Sequence, residues 1–176
     1  LIDEDVAAET RRNLVIQPFW ADRDATQCVA ASLTEALARA DAPDLPGKFG
    51  FAVDCGPFPL LRSVSADIRI EAASDGLVVR ADGADAGGLV ATAQEAAEAA
   101  MELARWFLDT GGAPAGRGRM ARHLAGGASL PDRFCHAPAA ASGTFQPTHC
   151  AGPFPFSPCS AVHNSGRLQS YRASGW

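Results

Sequence analysis

The decamer Leu45-Pro-Gly-Lys-Phe-Gly-Phe-Ala-Val-Asp54 combines a turn with the start of a strand. Pro46 and Gly47 interrupt regular structure, and large and small side chains then alternate from residue 49 onward. Successive side chains of a strand point to opposite faces, so the large members would share one face: Phe49, Phe51 and Val53. The pattern predicts a strand over residues 49–53 with one strongly apolar face.

The segments before the decamer predict a strand followed by a helix. Residues 13–17 are apolar and β-prone and end at Pro18, which removes a backbone donor. Residues 24–40 carry apolar side chains at helical spacing, and Asp24 is a candidate N-cap. The chain therefore enters the decamer from a helix with one buried face.

The segments after the decamer predict a meander and a second helix. Apolar and charged residues alternate over 66–72, which predicts a strand half exposed to water, and Asp75-Gly76 predicts a hairpin into a return strand. Residues 87–91 predict a further edge strand. Thr92 and Glu95 have the spacing of a capping box, which predicts a helix over about 93–108. The fold class is therefore α+β, with an antiparallel sheet and two main helices packed on it.

Composition limits the partners of the 176-residue chain. Its net charge of -5 argues against a nucleic-acid-binding surface, and no apolar run approaches the roughly 20 residues that cross a bilayer. Because the N-terminus is acidic, unlike a signal peptide, we expect a cytoplasmic protein with no membrane partner. The start at Leu1 instead of Met suggests that the sequence begins inside a longer reading frame.

Composition also divides the chain near residue 132. All 20 acidic residues lie at or before Asp132, whereas 133–176 holds three of the five cysteines and three of the four histidines. We predict an α+β domain over 1–132 and a low-order tail over 133–176, for which an out-of-frame reading of a GC-rich gene is one hypothesis. The tail's candidate zinc ligands match no familiar zinc-module spacing: Cys135, His136, His149, Cys150, Cys159 and His163. No metal site is predicted there.

Two segments resemble the sulfite/nitrite reductase superfamily. Arg12-Asn13-Leu14-Val15 is similar to the Arg-Asn-Val-hydrophobic start of the first catalytic domain of that superfamily. Leu45-Pro-Gly-Lys-Phe-Gly50 resembles the Leu-Pro-Arg-Lys-Phe-Lys segment about three dozen residues later. Glycines replace two basic residues here, and this form resembles the precorrin-3B synthase branch. The likeness covers roughly residues 5–125.

The resemblance implies a fold, a pocket and three site residues. It implies a catalytic half-domain in which Arg12 and Lys48 line an anionic tetrapyrrole pocket, and Asn13 supports a turn or bonds the neighbouring strand. Without the resemblance, Arg12 and Lys48 would be ordinary surface charges near strand ends. The glycines at 47 and 50 remove two cations that an inorganic-anion reductase needs and leave room for a bulkier substrate.

The resemblance also implies chemistry and cofactors. It implies a fragment of an iron–sulfur monooxygenase of cobalamin biosynthesis that hydroxylates precorrin-3A with dioxygen and closes a lactone. A [4Fe-4S] cluster and an iron centre or sirohaem would serve the complete enzyme. Their ligands are absent here, since no cysteine has the family's Cys-x5-Cys and Cys-x3-Cys spacing. The electron donor is not identified, and no catalytic residue is assigned.

Two alternatives stay open: a fragment of a sirohaem-dependent sulfite or nitrite reductase, and a non-catalytic remnant that binds a tetrapyrrole. Two other features have plainer interpretations. The glycines at 111–112 and 116–118 follow a helix and lack a Lys-Ser/Thr pair, so they predict a flexible connection instead of a phosphate loop. The basic segment 117–123 could begin a helix whose charges face solvent.

Overall fold

The computed structural model describes residues 13–138, which form an α+β domain as predicted. The strands and α-helices, in chain order, are β1 (Leu14–Ile16), α1 (Ala25–Leu37), β2 (Phe51–Asp54), β3 (Ile68–Ala73), β4 (Gly76–Ala81), β5 (Ala86–Val90), α2 (Ala93–Asp109), α3 (Met120–Ala125) and β6 (Ala137–Pro138). No helix among these residues is long and apolar enough to cross a membrane.

The six strands form a sheet in the order in which they occur along the chain. β3, β4, β5 and β6 are antiparallel neighbours, which confirms most of the predicted sheet, whereas β1–β2 and β2–β3 are parallel. The reason is that α1 carries the chain back to the end where β1 began, so β2 runs in the same direction. Residues 55–67 make a second return crossing. β5 is paired on both sides and is not the edge strand that we predicted.

One face of the sheet forms the main core against α1 and α2. Phe49, Phe51 and Val53 are fully buried on this face, as the alternation predicted, and Ala52 belongs to a smaller cluster on the opposite face. The ring of Phe49 lies 5.6 Å from that of Phe51 in an edge-to-face arrangement. Because the buried side of α2 is largely alanine, the helix can approach the sheet closely.

The opposite face of β3 carries buried charges, and the prediction of a half-exposed strand is wrong there. Arg69 and Glu71 are each only 6% exposed. Arg69 Nε lies 2.7 Å from Asp82 Oδ1, and Arg80 Nη2 lies 2.9 Å from Glu71 Oε1. Each charge finds a partner on or next to the neighbouring strand, so burial does not leave it uncompensated.

Local sequence signals fix where the main helices begin. The Asp24 carboxylate accepts from Gln27 N at 2.9 Å and caps α1, and Thr92 with Glu95 forms the predicted capping box of α2. α1 ends at residue 37 instead of 40, and Ala38 is its C-cap. α2 matches its predicted bounds to within one residue.

The first six residues of the predicted tail, 133–138, are ordered parts of the domain. Phe134 is fully buried, and Ala137 and Pro138 pair with β5. Gly88 of β5 lies directly beneath the Phe134 ring, since a Cβ there would meet Phe134 Cδ1 at 3.1 Å. The rest of the tail, 139–176, and the first twelve residues lie outside the described residues.

Candidate functional site: a basic cleft

A cleft of about 1170 Å³ opens beside the C-terminal end of α2. Its walls are the turn of the decamer, the segment that joins α2 to α3, α3 itself, and the residues that follow α3. We call it the basic cleft, because the described residues that line it include five basic side chains and no acidic one: Lys48, Arg117, Arg119, Arg122 and His123. The remaining lining residues are mostly glycine, with Pro46, Thr110, Pro114, Ala128 and Ser129.

Glycines line the cleft because the chain crosses itself there. Gly112 N donates to Phe107 O at 2.7 Å, and a Cβ on Gly112 would overlap the Phe107 ring. A Cβ on Gly118 would overlap the carbonyl oxygen of Gly112. Gly111 and Gly116 instead have positive φ angles of 82° and 71°. The expected flexible connection is therefore a packed segment that forms one wall of the basic cleft.

Three of the basic side chains are available to a ligand. Lys48, Arg117 and Arg122 are all exposed. Within residues 13–138, no carboxylate lies within ion-pairing distance of any of them. Unpaired cations that share a concave surface raise the local positive potential even though the whole chain is acidic. The prediction that the charges of segment 117–123 simply face solvent is therefore incomplete, because they face this cleft.

Arg119 differs from the other cations because its guanidinium is committed to the protein. Nε lies 3.0 Å from Asp67 Oδ1, and Nη1 donates to Lys48 O at 3.0 Å. Nη2 donates to Ser65 Oγ at 2.8 Å and to Ala66 O at 3.3 Å. The guanidinium thus makes three hydrogen bonds to the protein in addition to its ion pair with Asp67. Arg119 connects the decamer's turn to the segment that enters β3.

Asp67 is the buried counterpart of Arg119, with 1% of its surface exposed. Besides the ion pair, Oδ1 accepts from Met120 N at 2.8 Å and Oδ2 accepts from Gly50 N at 2.9 Å. Burial raises the pKa of the Asp67 carboxyl, while the two backbone donors and the Arg119 charge act in the opposite direction. Met120 is the first residue of α3. The carboxylate of Asp67, the residue before β3, therefore accepts the first backbone N–H of that helix.

His123 is half-buried and contacts two aromatic rings of α2. Its ring centroid lies 5.5 Å from that of Trp106 and 5.5 Å from that of Phe107, nearly perpendicular to the latter. Its Nε2 is 2.7 Å from Thr110 Oγ1, and that hydroxyl donates its hydrogen to Trp106 O at 2.7 Å. Because the hydroxyl has a single hydrogen, it accepts from His123, which places a hydrogen on Nε2.

The three sequence-predicted site residues have different outcomes. Lys48 lines the basic cleft, whereas Arg12 lies outside the described residues. Asn13 supports the turn, because its Nδ2 donates to Gly47 O at 2.7 Å. Gly47 lines the cleft, but Gly50 is buried, and a Cβ there would lie 3.2 Å from Asn13 O. Only Gly47 can therefore leave room for a ligand, and the glycine at 50 has a packing role.

The described cysteines do not form a cofactor site. Within residues 13–138, no group of three or more His, Cys, Asp or Glu side chains is arranged to hold a metal ion. Cys28 is buried in the core, and the Cys55 thiol is buried with its Sγ 3.6 Å from Ile70 O. Burial raises the pKa of the Cys55 thiol, which makes it a poor thiolate ligand. The residues described here thus do not fit a [4Fe-4S] cluster, and four of the six tail zinc candidates lie outside them.

Comparison of the chain with family models, with curated proteins and with solved structures finds no match. The resemblance carried by the two segments at 12–15 and 45–50 therefore stays a prediction. The structure brings these two segments together, since the side chain of Asn13 bonds the turn that carries Lys48. Function has to be inferred from the chemistry of the basic cleft.

Proposed function

We propose that the basic cleft binds the carboxylates of a tetrapyrrole, and that the chain is part of an iron–sulfur oxidoreductase of the precorrin-3B synthase type acting on precorrin-3A. The observation that carries the proposal is the position of Lys48. The cation suggested by the resemblance shares its cleft with Arg117 and Arg122. Among residues 13–138, none of the three has a carboxylate partner and no acidic side chain lines the cleft. The cytoplasmic location expected from the sequence belongs to this proposal.

The charge of the cleft suits a ligand with several carboxylates. A guanidinium binds a carboxylate through a planar pair of donors, and a Lys ammonium supplies a mobile point charge. Three such groups around one concavity favour a ligand whose negative charges are spread over its periphery. A cobalamin-pathway tetrapyrrole has carboxylates at its rim, which matches cations placed on different walls.

The size of the cleft supports a bulky ligand over a small inorganic anion. Its volume of about 1170 Å³ is slightly above the roughly 300–1,000 Å³ typical of small-molecule sites. Sulfite or nitrite would occupy a small part of that space. Gly47 contributes to that volume, because it places no side chain on the cleft wall.

The part of the reaction that we assign to this chain is substrate binding. In the complete enzyme, the cluster and the iron centre would supply the redox chemistry. The described residues do not hold those groups, so no chemical step is assigned to them. Lys48, Arg117 and Arg122 would neutralise and orient the macrocycle, and His123 offers a further polar contact on the α3 wall.

Titration of the full chain with uroporphyrin, a stable tetrapyrrole rich in carboxylates, tests the proposal through the change in porphyrin fluorescence. We expect Lys48→Ala and Arg122→Ala each to weaken binding by about tenfold or more, since a hydrogen bond to a charged group contributes about 1.5–3 kcal/mol. Arg39→Ala is the matched control, because Arg39 is exposed and pairs with Asp41 after α1, outside the cleft lining. Unchanged affinity in both cleft variants would reject the proposed site.

A further inference from the structure

One ion pair, between the half-exposed Arg119 and the buried Asp67, joins two walls of the basic cleft. Asp67 accepts from Gly50 N, just after the turn that carries Lys48, and from Met120 N, where α3 begins. Arg119 completes the connection by donating to Lys48 O and to Ser65 Oγ. The turn and the helix are 71 residues apart in sequence at the Arg119–Lys48 contact, yet they meet through this pair.

We propose that Asp67 and Arg119 are positioning residues, which fix the separation of Lys48 from the cations of the α3 wall and leave ligand contact to Lys48, Arg117 and Arg122. This inference deepens the proposed function and rests on it for the choice of ligand. Its physical basis is that every donor around Asp67 needs an acceptor, and a carboxylate is the side chain that only accepts. Position 119 in turn requires the planar guanidinium of arginine, because the acceptors lie on three sides of it.

The charge of Arg119 is therefore less important than its shape. A lysine at 119 would keep the positive charge, but its single ammonium could not bond Asp67, Lys48 O and Ser65 together. Arg39 provides the matched comparison, because its guanidinium is exposed, pairs with Asp41 and lies outside the cleft lining. A lysine at 39 would conserve charge in the same way and would break no contact between the two cleft walls.

Two substitutions that both conserve charge should therefore have different effects on uroporphyrin binding. We expect Arg119→Lys to weaken binding by about tenfold or more, because several charge-assisted contacts are lost. Arg39→Lys should leave affinity within roughly threefold of the wild type, because Arg39 is an exposed cation outside the cleft lining. The two cleft walls can also be followed without a ligand: amide exchange at Gly50 and Met120 should become faster in Arg119→Lys and stay unchanged in Arg39→Lys.

Glu71→Ala is the control that separates positioning from stability. It breaks an ion pair between two residues outside the cleft lining, so it should destabilise the domain while leaving uroporphyrin affinity as in the wild type. If Arg119→Lys fails to fold, Ser65→Ala removes one exposed partner of the guanidinium and should weaken binding by roughly threefold.

The outcomes distinguish the two proposals. Wild-type affinity in folded Arg119→Lys, or in Ser65→Ala where the lysine variant does not fold, would overturn the positioning role while the proposed function stands. Loss of affinity in Glu71→Ala equal to that in Arg119→Lys would also overturn it. Unchanged affinity in Lys48→Ala and Arg122→Ala would reject the proposed function instead, and amide exchange would then still test the link between the walls.

Discussion

Replacing Phe107 with alanine should cause the largest loss of stability from a single side-chain truncation near the basic cleft. The ring is fully buried on α2, and its centroid lies 5.1 Å from that of Phe49. His123 meets its edge at 5.5 Å, and the backbone of Gly112 lies against it. Phe107 thus joins the main core to two residues of the cleft lining, Gly112 and His123.

The magnitude follows from those contacts. Truncating a buried Phe to Ala costs about 3–5 kcal/mol, depending on how far the surroundings can collapse. The neighbours of Phe107 include glycine backbone that is itself held by a crossing segment, and loss of the aromatic pairs removes a further ~0.5–1.5 kcal/mol. We therefore expect the upper part of the range, about 4–5 kcal/mol, which for a domain of this size is on the order of 15–20 °C in Tm.

Urea unfolding followed by far-ultraviolet circular dichroism measures this cost. Phe58→Ala is the matched control, because it makes the same chemical change at a ring that is 70% exposed, where we expect less than about 0.5 kcal/mol. A cost below about 2 kcal/mol for Phe107→Ala, or one equal to that of Phe58→Ala, would refute the proposed packing of Phe107 against Phe49 and the cleft lining.

Three further perturbations test other parts of the structure. Gly118→Ala should destabilise the domain by about 3 kcal/mol or prevent folding, because its methyl group would overlap the carbonyl of Gly112. Glu71→Ala should cost about 3 kcal/mol, because it leaves the partly buried Arg80 without its carboxylate partner. The backbone N–H groups of Ala91 and Thr92 lower the pKa of Glu95, so its cap should stabilise the fold above about pH 4.5 and be lost as the pH falls through the lowered pKa.

For each of these three perturbations, a second variant or a second pH tests the physical reason given. Gly116→Ala meets open space and should cost only about 1 kcal/mol through its positive φ, so equal costs at 116 and 118 would contradict the crossing. Replacing both Glu71 and Arg80 with apolar residues should recover much of the stability lost in Glu71→Ala. Unfolding between pH 7 and 3 should show Glu95→Gln approaching the wild type at the acid end, and a constant difference would argue against the cap.

Local signals in the sequence predicted the framework of the domain. The alternation from Phe49 to Val53 identified the core face of β2, and the spacing of Thr92 and Glu95 identified the start of α2. Both signals lie within a few residues, where strand or helix geometry fixes the neighbours. The direction of β2 could not be read in this way, because it depends on where α1 returns the chain.

The basic cleft could be predicted only in part, because its walls meet through contacts between distant residues. Lys48 was suggested by the resemblance of its segment, but no local pattern placed Arg119 beside it. Asp67 and Glu71 were predicted to be exposed because an alternating pattern treats every charged residue as facing water. Their burial depends on arginines from other elements, and such pairing leaves no period in the sequence.

The anchoring of Phe134 over Gly88 also decides where this domain can be shortened. Composition marks a boundary at 132, but a chain cut there would lose the buried ring and the strand that covers β5. The apolar site that Phe134 fills and the backbone edge of β5 would then be exposed, and both would favour self-association of the shortened protein. A cut after Pro138 would retain both, so expression boundaries chosen from packing would differ from those chosen from composition.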